Sequence, residues 1–185
     1  AEMQAMAGLV RAGKIRSVGV SNFSASQMRR AHAELAKHGI PLAANQVYYS
    51  LLHRKIESNG VLDTARELGV TIIAYTPLEA GLLSGKYHQD PALLSKQPWT
   101  KRVRFAPRVE ASRPVVEALL EMAPRYTTNA AQVALNWLIH AQGDLVVTIP
   151  GATKVYQAQD AAAAMRFKLA EEDIQRLDEL TRQYR

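Results

Sequence analysis

Val70-Thr71-Ile72-Ile73-Ala74-Tyr75-Thr76-Pro77-Leu78 decides the fold. Five residues with little polar alternation are followed by an aromatic, a hydroxyl and a proline. A short run without alternation is expected of a strand covered on both faces, the habit of parallel sheets. A polar or turn-forming cluster just after such a strand marks the rim where α/β folds place their ligands. The same unit recurs on either side. Upstream, Lys14-Ile15-Arg16-Ser17-Val18-Gly19-Val20 leads into Ser21-Asn22, and a strand over 43–48 carries Asn45-Gln46. Downstream, Leu145-Val146-Val147-Thr148-Ile149 leads into Pro150-Gly151-Ala152-Thr153-Lys154.

Helical patterns separate these strands. Ser24 or Ser26 caps a helix through about His38, with Met28, Ala31 and Leu35 on one face, and Gly39-Ile40-Pro41 breaks it. Val61, Leu62, Ala65 and Leu68 predict a helix over about 57–68, closed by Gly69. The first three strands start about 28 residues apart, the size of a βαβ repeat, which argues a parallel sheet. Residues 1–12 read as the back half of a helix (Met3, Met6, Ala7, Val10) ended by Gly13. Such an opening suggests a piece of something longer. Leu78 to about Arg113 holds Gly81, Gly85, Pro91, Pro98 and Pro107 without a sustained period, and reads as a long functional loop. Helices are expected again at 113–124, 129–141, 155–165 and 171–183. Asn129 with Gln132 three residues on is a capping-box pattern. Ala170 is a poor cap, but Glu171, Glu172 and Asp173 suit the positive end of the last helix. No linker or low-complexity tract interrupts the chain, so residues 1–185 are expected to form one domain.

Composition narrows the function classes. The 185 residues are 48% hydrophobic, enough for one sizeable core. There are no cysteines, which excludes disulfides, thiolate metal sites and cysteine nucleophiles. The apolar runs are too short to span a bilayer and no secretory signal is visible, so the expectation is a soluble, cytoplasmic protein with no membrane role. The net charge of +6 suits an anionic ligand or surface, or simply reflects a modest excess of Lys and Arg. No two of the five histidines fall in metal-ligand spacing with an acid, so no metal is expected. Surface roles are expected for all five, although His53 could face the mouth of a site. Lys101, Arg102, Arg104 and Arg108 cluster in the expected loop, where they either cover an anionic ligand or form a solvated basic face. Only Trp99 lies near them, so there is no stacking platform for nucleic acid.

Five motifs in order resemble the C-terminal half of the aldo-keto reductase family. They are Gly19-Val20-Ser21-Asn22-Phe23, Asn45-Gln46-Val47, Ala74-Tyr75-Thr76-Pro77-Leu78, Gly81-Leu82-Leu83-Ser84-Gly85-Lys86-Tyr87 and Ile149-Pro150-Gly151-Ala152-Thr153-Lys154. The resemblance covers essentially the whole chain. It implies an α/β fold that is a partial (β/α)8 TIM barrel, about four parallel strands with flanking helices. It also implies NADP(H) as cofactor, hydride transfer between NADPH and an aldehyde or ketone, and a small-molecule carbonyl substrate in the full-length parent. On that resemblance Ser21, Asn22 and Gln46 would hydrogen-bond the nicotinamide carboxamide, which needs both donor and acceptor partners. Read from the residues alone, Ser21 and Asn22 also suit a turn or a cap. Tyr75 would stack on the nicotinamide ring, or be a core aromatic at a strand end. Thr76, Pro77, Leu78, Gly81 and Leu82 would wrap the pyrophosphate, where small residues let backbone N–H groups approach the anion, with Lys86 as a nearby cation. Gly151, Thr153 and Lys154 would hold the 2′-phosphate end, and Gln157 and Asp160, three apart on one helix face, would contact the adenine. Two departures weaken the adenine end: Ala161 stands where the family pattern usually has Asn, and Val155 where a Pro is frequent.

The resemblance also implies what the chain lacks. The family's Tyr, Lys, Asp and His come from its first four strands, and no residue here matches them. No catalytic residue is therefore assigned, and Tyr48 and Tyr49 read as strand-end packing residues. The chain alone is expected to be inactive. Four strands leave two unpaired edges and an open apolar inner face, a route to self-association. A fragment of a complete enzyme is the expectation, ahead of a half barrel paired with a second copy or an incomplete gene product. A different class stays open. Potassium-channel β subunits resemble this chain around Thr76-Pro77-Leu78 and Ser84-Gly85-Lys86-Tyr87, which would make it a non-catalytic NADP-sensing regulatory subunit.

Overall fold

The computed structural model describes residues 2–185. Ala1, the first residue of the expected opening helix, lies outside the described residues. Four strands form one parallel sheet in the order β1-β2-β3-β4: Val18–Ser21, Leu42–Tyr48, Thr71–Tyr75 and Val146–Ile149. All four were legible, with ends shifted by one to a few residues. The helices are α1 (Glu2–Arg11), α2 (Ala25–Ala36), α3 (Val61–Leu68), α4 (Lys86–Gln89), α5 (Ala92–Ser95), α6 (Trp99–Met122), α7 (Ala130–His140), α8 (Val155–Ala163) and α9 (Glu171–Thr181).

Local chemistry explains the helix ends. Ser24 accepts from the Gln27 N–H while Gln27 reaches back to the Ser24 N–H, and Asn129 with Gln132 does the same for α7. The two serines competing for the first cap are thereby resolved in favour of Ser24. The expected 57–68 helix is shorter. Gly60 sits at φ +82°, which only glycine adopts without strain, and it separates a single turn at Lys55–Glu57 from α3.

The sheet is covered on one face only. Helices α1, α2, α3 and α7 lie against β1, β2, β3 and β4. Val18, Leu42, Asn45, Val47, Ile72, Ala74 and Val146 point toward them and are buried. The opposite face carries Gly19, Ser21, Ala44, Gln46, Tyr48, Ile73, Tyr75, Val147 and Ile149, none of them buried. Val147 and Ile149 are each 46% exposed. This corrects the expectation that β3 is covered on both faces: its burial alternates. A four-stranded segment cannot close on itself, so the face that would line a barrel stays open.

The segment after Leu78 is the largest departure from the sequence reading. It is not a long irregular loop. After a left-handed kink at Ala80 and Gly81 it builds α4 and α5 and then α6, a helix of 24 residues that absorbs the expected 113–124 helix. Lys101, Arg102, Arg104 and Arg108 therefore lie on a helix. Pro107 and Pro114 sit inside it and remove two amide donors, which is why the sequence reads as broken there. Tertiary burial outweighs that cost: Phe105, Val109, Val115, Val116, Leu119 and Met122 are all buried. Phe105 and Val109 pack with Leu82 and Tyr87 in a small satellite cluster.

Arg54 is the unannounced feature of the core. It is 1% exposed and joins the loop after β2 to α9 through Glu57, Asp178 and Thr181, with its guanidinium 4.9 Å from the Trp137 ring centroid. Burial alone would lower its pKa, but hydrogen bonds to Glu57 and Asp178 outweigh that and hold it above the ordinary arginine value. Nothing in His53-Arg54-Lys55 as a sequence signals a buried cation. None of the described helices is long and apolar enough to cross a membrane.

Candidate functional site

Because the strands are parallel, every expected site residue falls at or beyond one rim, the carboxyl end of the sheet. Ser21 of β1 is in register with Gln46 of β2, and Tyr75 of β3 with Tyr48 of β2 and Ile149 of β4. Thr76–Leu82 follows β3, and Gly151–Lys154 follows β4 and opens α8. The site is thus assembled by topology rather than by proximity in sequence.

The nicotinamide candidates form one network. Asn22 takes a left-handed backbone (φ +56°), and its N–H donates to the Gln46 carbonyl at 2.8 Å. Its side-chain oxygen accepts from the Tyr75 hydroxyl at 3.2 Å, and its Nδ2 donates to Ser21 Oγ at 3.3 Å. Ser21 Oγ donates in turn to the Gln46 carbonyl at 3.1 Å. The turn reading of Ser21 and Asn22 and the binding reading are compatible: a left-handed asparagine is both a turn device and a re-aimed polar side chain. Asn45 and Gln46 point to opposite faces. Asn45 is fully buried, donates to the Phe23 carbonyl at 2.9 Å and accepts from the Phe23 N–H at 3.3 Å. It pins the Ser21–Phe23 turn from behind. The Gln46 side-chain amide faces the open side and has no hydrogen-bond partner among the described residues.

Tyr75 does not stand alone. Its ring stacks on Tyr48 at 5.5 Å between centroids, and Tyr48 stacks on His53 at 3.9 Å. Tyr48 donates to the carboxylate of Glu79, which is 1% exposed and also accepts from Ser50 and from Arg108 of α6. Burial, reinforced by Glu79, raises the Tyr48 hydroxyl above the ordinary tyrosine range, so it is a poorer acid than free tyrosine. Burial holds the His53 imidazole below its usual pKa despite the nearby Glu79. His53 is therefore a stacked, half-buried ring rather than a free surface group. His88 likewise departs from a surface role, with Nε2 3.0 Å from the Val109 carbonyl and 3.1 Å from Ser112 Oγ. Tyr49 is buried as packing and donates to Glu57.

The loop after β3 is backbone-rich. Thr76, Glu79, Ala80 and Gly81 all have positive φ. A Cβ on Gly81 would come within 2.9 Å of Lys86 Nζ, so the glycine leaves open the space beside that cation. Leu82 has its side chain fully buried in the satellite cluster, leaving only its backbone for any ligand. Pro77 and Leu78 complete the turn, with Leu78 packed on the main core. Beyond β4, Gly151 has nothing within 4 Å of its absent Cβ, and Thr153 and Lys154 are exposed at the start of α8. Gln157 Oε1 accepts from the N–H groups of Thr153 and Lys154 at 2.7 and 3.0 Å, so it shapes this loop. Asp160 accepts from Asn129 and Gln132 of α7 at 3.2 and 3.5 Å. Both residues lie on the same side of α8 and are already engaged by the protein. Sequence reasoning missed Glu79, Ser50, Tyr48 and Arg108 as a unit, because they come from three elements far apart in the chain. No three His, Asp or Glu side chains converge as a metal cage among the described residues.

Four parallel strands in sequential order with their helices on one face have the architecture of part of a (β/α) barrel. The chain belongs to the aldo/keto reductase family, whose model matches residues 1–182. It is 33% identical over 178 residues to the probable pyridoxal reductase 2 of Schizosaccharomyces pombe, covering 94% of this chain and 52% of that protein. It is 37% identical over 177 residues to the aldo-keto reductase str7 of Strobilurus tenacellus, covering 92% of this chain and 50% of that protein. A crystal structure of a thermostable aldo-keto reductase in complex with the inhibitor epalrestat superimposes with a TM-score of 0.73 at 31% identity, over 96% of this chain and 53% of that one. The chain spans about half the length of the curated relatives it matches. The four strands and their helices correspond to part of the barrel of such enzymes.

Proposed function

We propose that this chain is the NADP(H)-binding half of an aldo-keto reductase, a family of hydride-transfer enzymes acting on aldehydes and ketones. The observation that carries the reading is the single rim shared by Asn22, Gln46, Tyr75, the Thr76–Leu82 loop and the Gly151–Lys154 loop. The residues present fit a dinucleotide. Gln46 offers an unpartnered amide to a carboxamide, beside a tyrosine ring held flat by Tyr48. The positive-φ loop with its cleared Gly81 and adjacent Lys86 suits a pyrophosphate. The opening of α8, with Thr153 and Lys154, suits a terminal phosphate. The cofactor, when bound, supplies the hydride. This chain's residues bind it, orient its ring and line the loops over its phosphates.

No residue here is assigned as proton donor. Tyr48 is the tempting candidate, but its hydroxyl is committed to Glu79 and its pKa is raised, the wrong direction for a general acid near neutrality. Titration of the chain with NADPH, followed by nicotinamide fluorescence, tests the reading. Saturable binding that weakens in Gln46→Leu and Tyr75→Ala is expected, and absence of binding overturns it. Pyridoxal, the aldehyde named for the S. pombe relative, is a suitable first substrate for the barrel as a whole. This chain alone with NADPH and pyridoxal should show no enzyme-like consumption.

A further inference from the structure

Glu79 presents an electrostatic contradiction. On the NADP(H)-binding reading the loop from Thr76 to Leu82 receives an anion, yet a carboxylate sits in its middle, 1% exposed. Two of its three side-chain partners, Tyr48 and Ser50, are neutral. The third, Arg108, is the cation with which it forms an ion pair, delivered by α6 from 29 positions further along the chain. Arg108 is itself 40% exposed at the side chain, and its guanidinium lies 5.4 Å from the Phe105 ring centroid. Glu79 also holds a left-handed backbone (φ +53°), as does Ala80 beside it, so the chain turns the carboxyl inward at a conformational cost.

We propose that Arg108 neutralises Glu79 so that the loop after β3 can accept the dinucleotide's phosphates, and that Glu79 in return fixes Tyr48 beneath Tyr75. The inference rests on the NADP(H)-binding reading above. It assigns α6 a part in the site without a direct phosphate contact from Arg108. The physical ground is asymmetry. A buried carboxylate that loses its cation has its charge no longer offset, and in a low-dielectric setting such a charge opposes an incoming phosphate more strongly than it would in water. A carboxylate removed together with its cation leaves no such opposition.

The test is a rescue. Arg108→Ala is expected to weaken NADPH binding about tenfold or more, because the loop then carries a carboxylate stripped of its ion-pair partner. Adding Glu79→Gln to Arg108→Ala should restore affinity to within about threefold of the parent, since the repulsive charge has gone. Fluorescence titration reads both, and thermal melts of each variant show that it is folded. Should Arg108→Ala unfold the chain, Arg108→Gln with and without Glu79→Gln makes the same comparison. If the parent binds NADPH and the double variant stays as weak as Arg108→Ala, the guanidinium contacts phosphate directly and the inference fails while the binding reading stands. If the Arg108 variants bind like the parent, the inference also fails alone. A parent chain that binds no NADPH overturns both.

Discussion

Replacing Asn45 with leucine separates the two faces of β2. Asn45 is fully buried and exchanges two hydrogen bonds with the backbone of Phe23, at 2.9 and 3.3 Å. Leucine has the same branched shape and number of heavy atoms but is bulkier and has no polar atom. Asn45→Leu would therefore leave the Phe23 N–H and C=O unpaired with little cavity formed. Each unpaired buried backbone group costs about 1–3 kcal/mol. Phe23 is only partly buried, so water can recover some of this, and the loss should be about 2–4 kcal/mol. With a urea m-value of about 2 kcal/mol/M, the unfolding midpoint would fall by about 1–2 M. Equilibrium urea unfolding followed by circular dichroism measures this. The neighbouring Gln46→Leu is the control, because that side chain faces the open side and gives up no protein hydrogen bond. Its cost should stay within about 0.5 kcal/mol. Equal losses in the two variants, or a loss under about 0.5 kcal/mol in Asn45→Leu, would refute the assignment of Asn45 to structure and Gln46 to the site.

Arg54→Met removes a buried cation and leaves Glu57 and Asp178 with Arg185 as the one cation they still share. It should cost about 3–5 kcal/mol in the same unfolding assay, far beyond an exposed arginine such as Arg113. Gly81→Ala forces a side chain to φ +93° against Lys86 and should cost about 1–3 kcal/mol in that assay, with a parallel loss of NADPH affinity by fluorescence. His53 has a folded pKa below its unfolded value of 6.5. Its neutral form is favoured by the fold, so its contribution to stability is complete above that value and is lost as pH falls from it through the folded pKa. NMR titration of the ring should place its midpoint below 6.5; a midpoint above that value would contradict the buried stack.

Much of this molecule can be read from its residues in order. The strands at 18–21, 71–75 and 146–149 follow from β-branched runs, that at 42–48 from the break at Gly39-Ile40-Pro41 before it, and the cap at Asn129 from spacing alone, while the choice of Ser24 over Ser26 is made by the structure. The strands and the Asn129 cap are local effects, in which a few adjacent residues carry the whole energy. The gathering of Ser21, Asn22, Gln46, Tyr75, Thr76 and Gly151 at one rim also follows once the strands are parallel. Three features do not. The helix at 99–122 forms against its own prolines because Phe105, Val109 and the residues beyond find a core to bury in. Arg54 is buried because α9, more than a hundred residues later, brings Asp178 and Thr181 to it. Glu79 is buried in the loop after β3 because Tyr48, Ser50 and Arg108 converge on it from β2, the turn after it and α6. Propensity and periodicity act over one or two turns of chain, whereas desolvating a charge or overriding a proline is decided by partners that only the closed structure brings within reach.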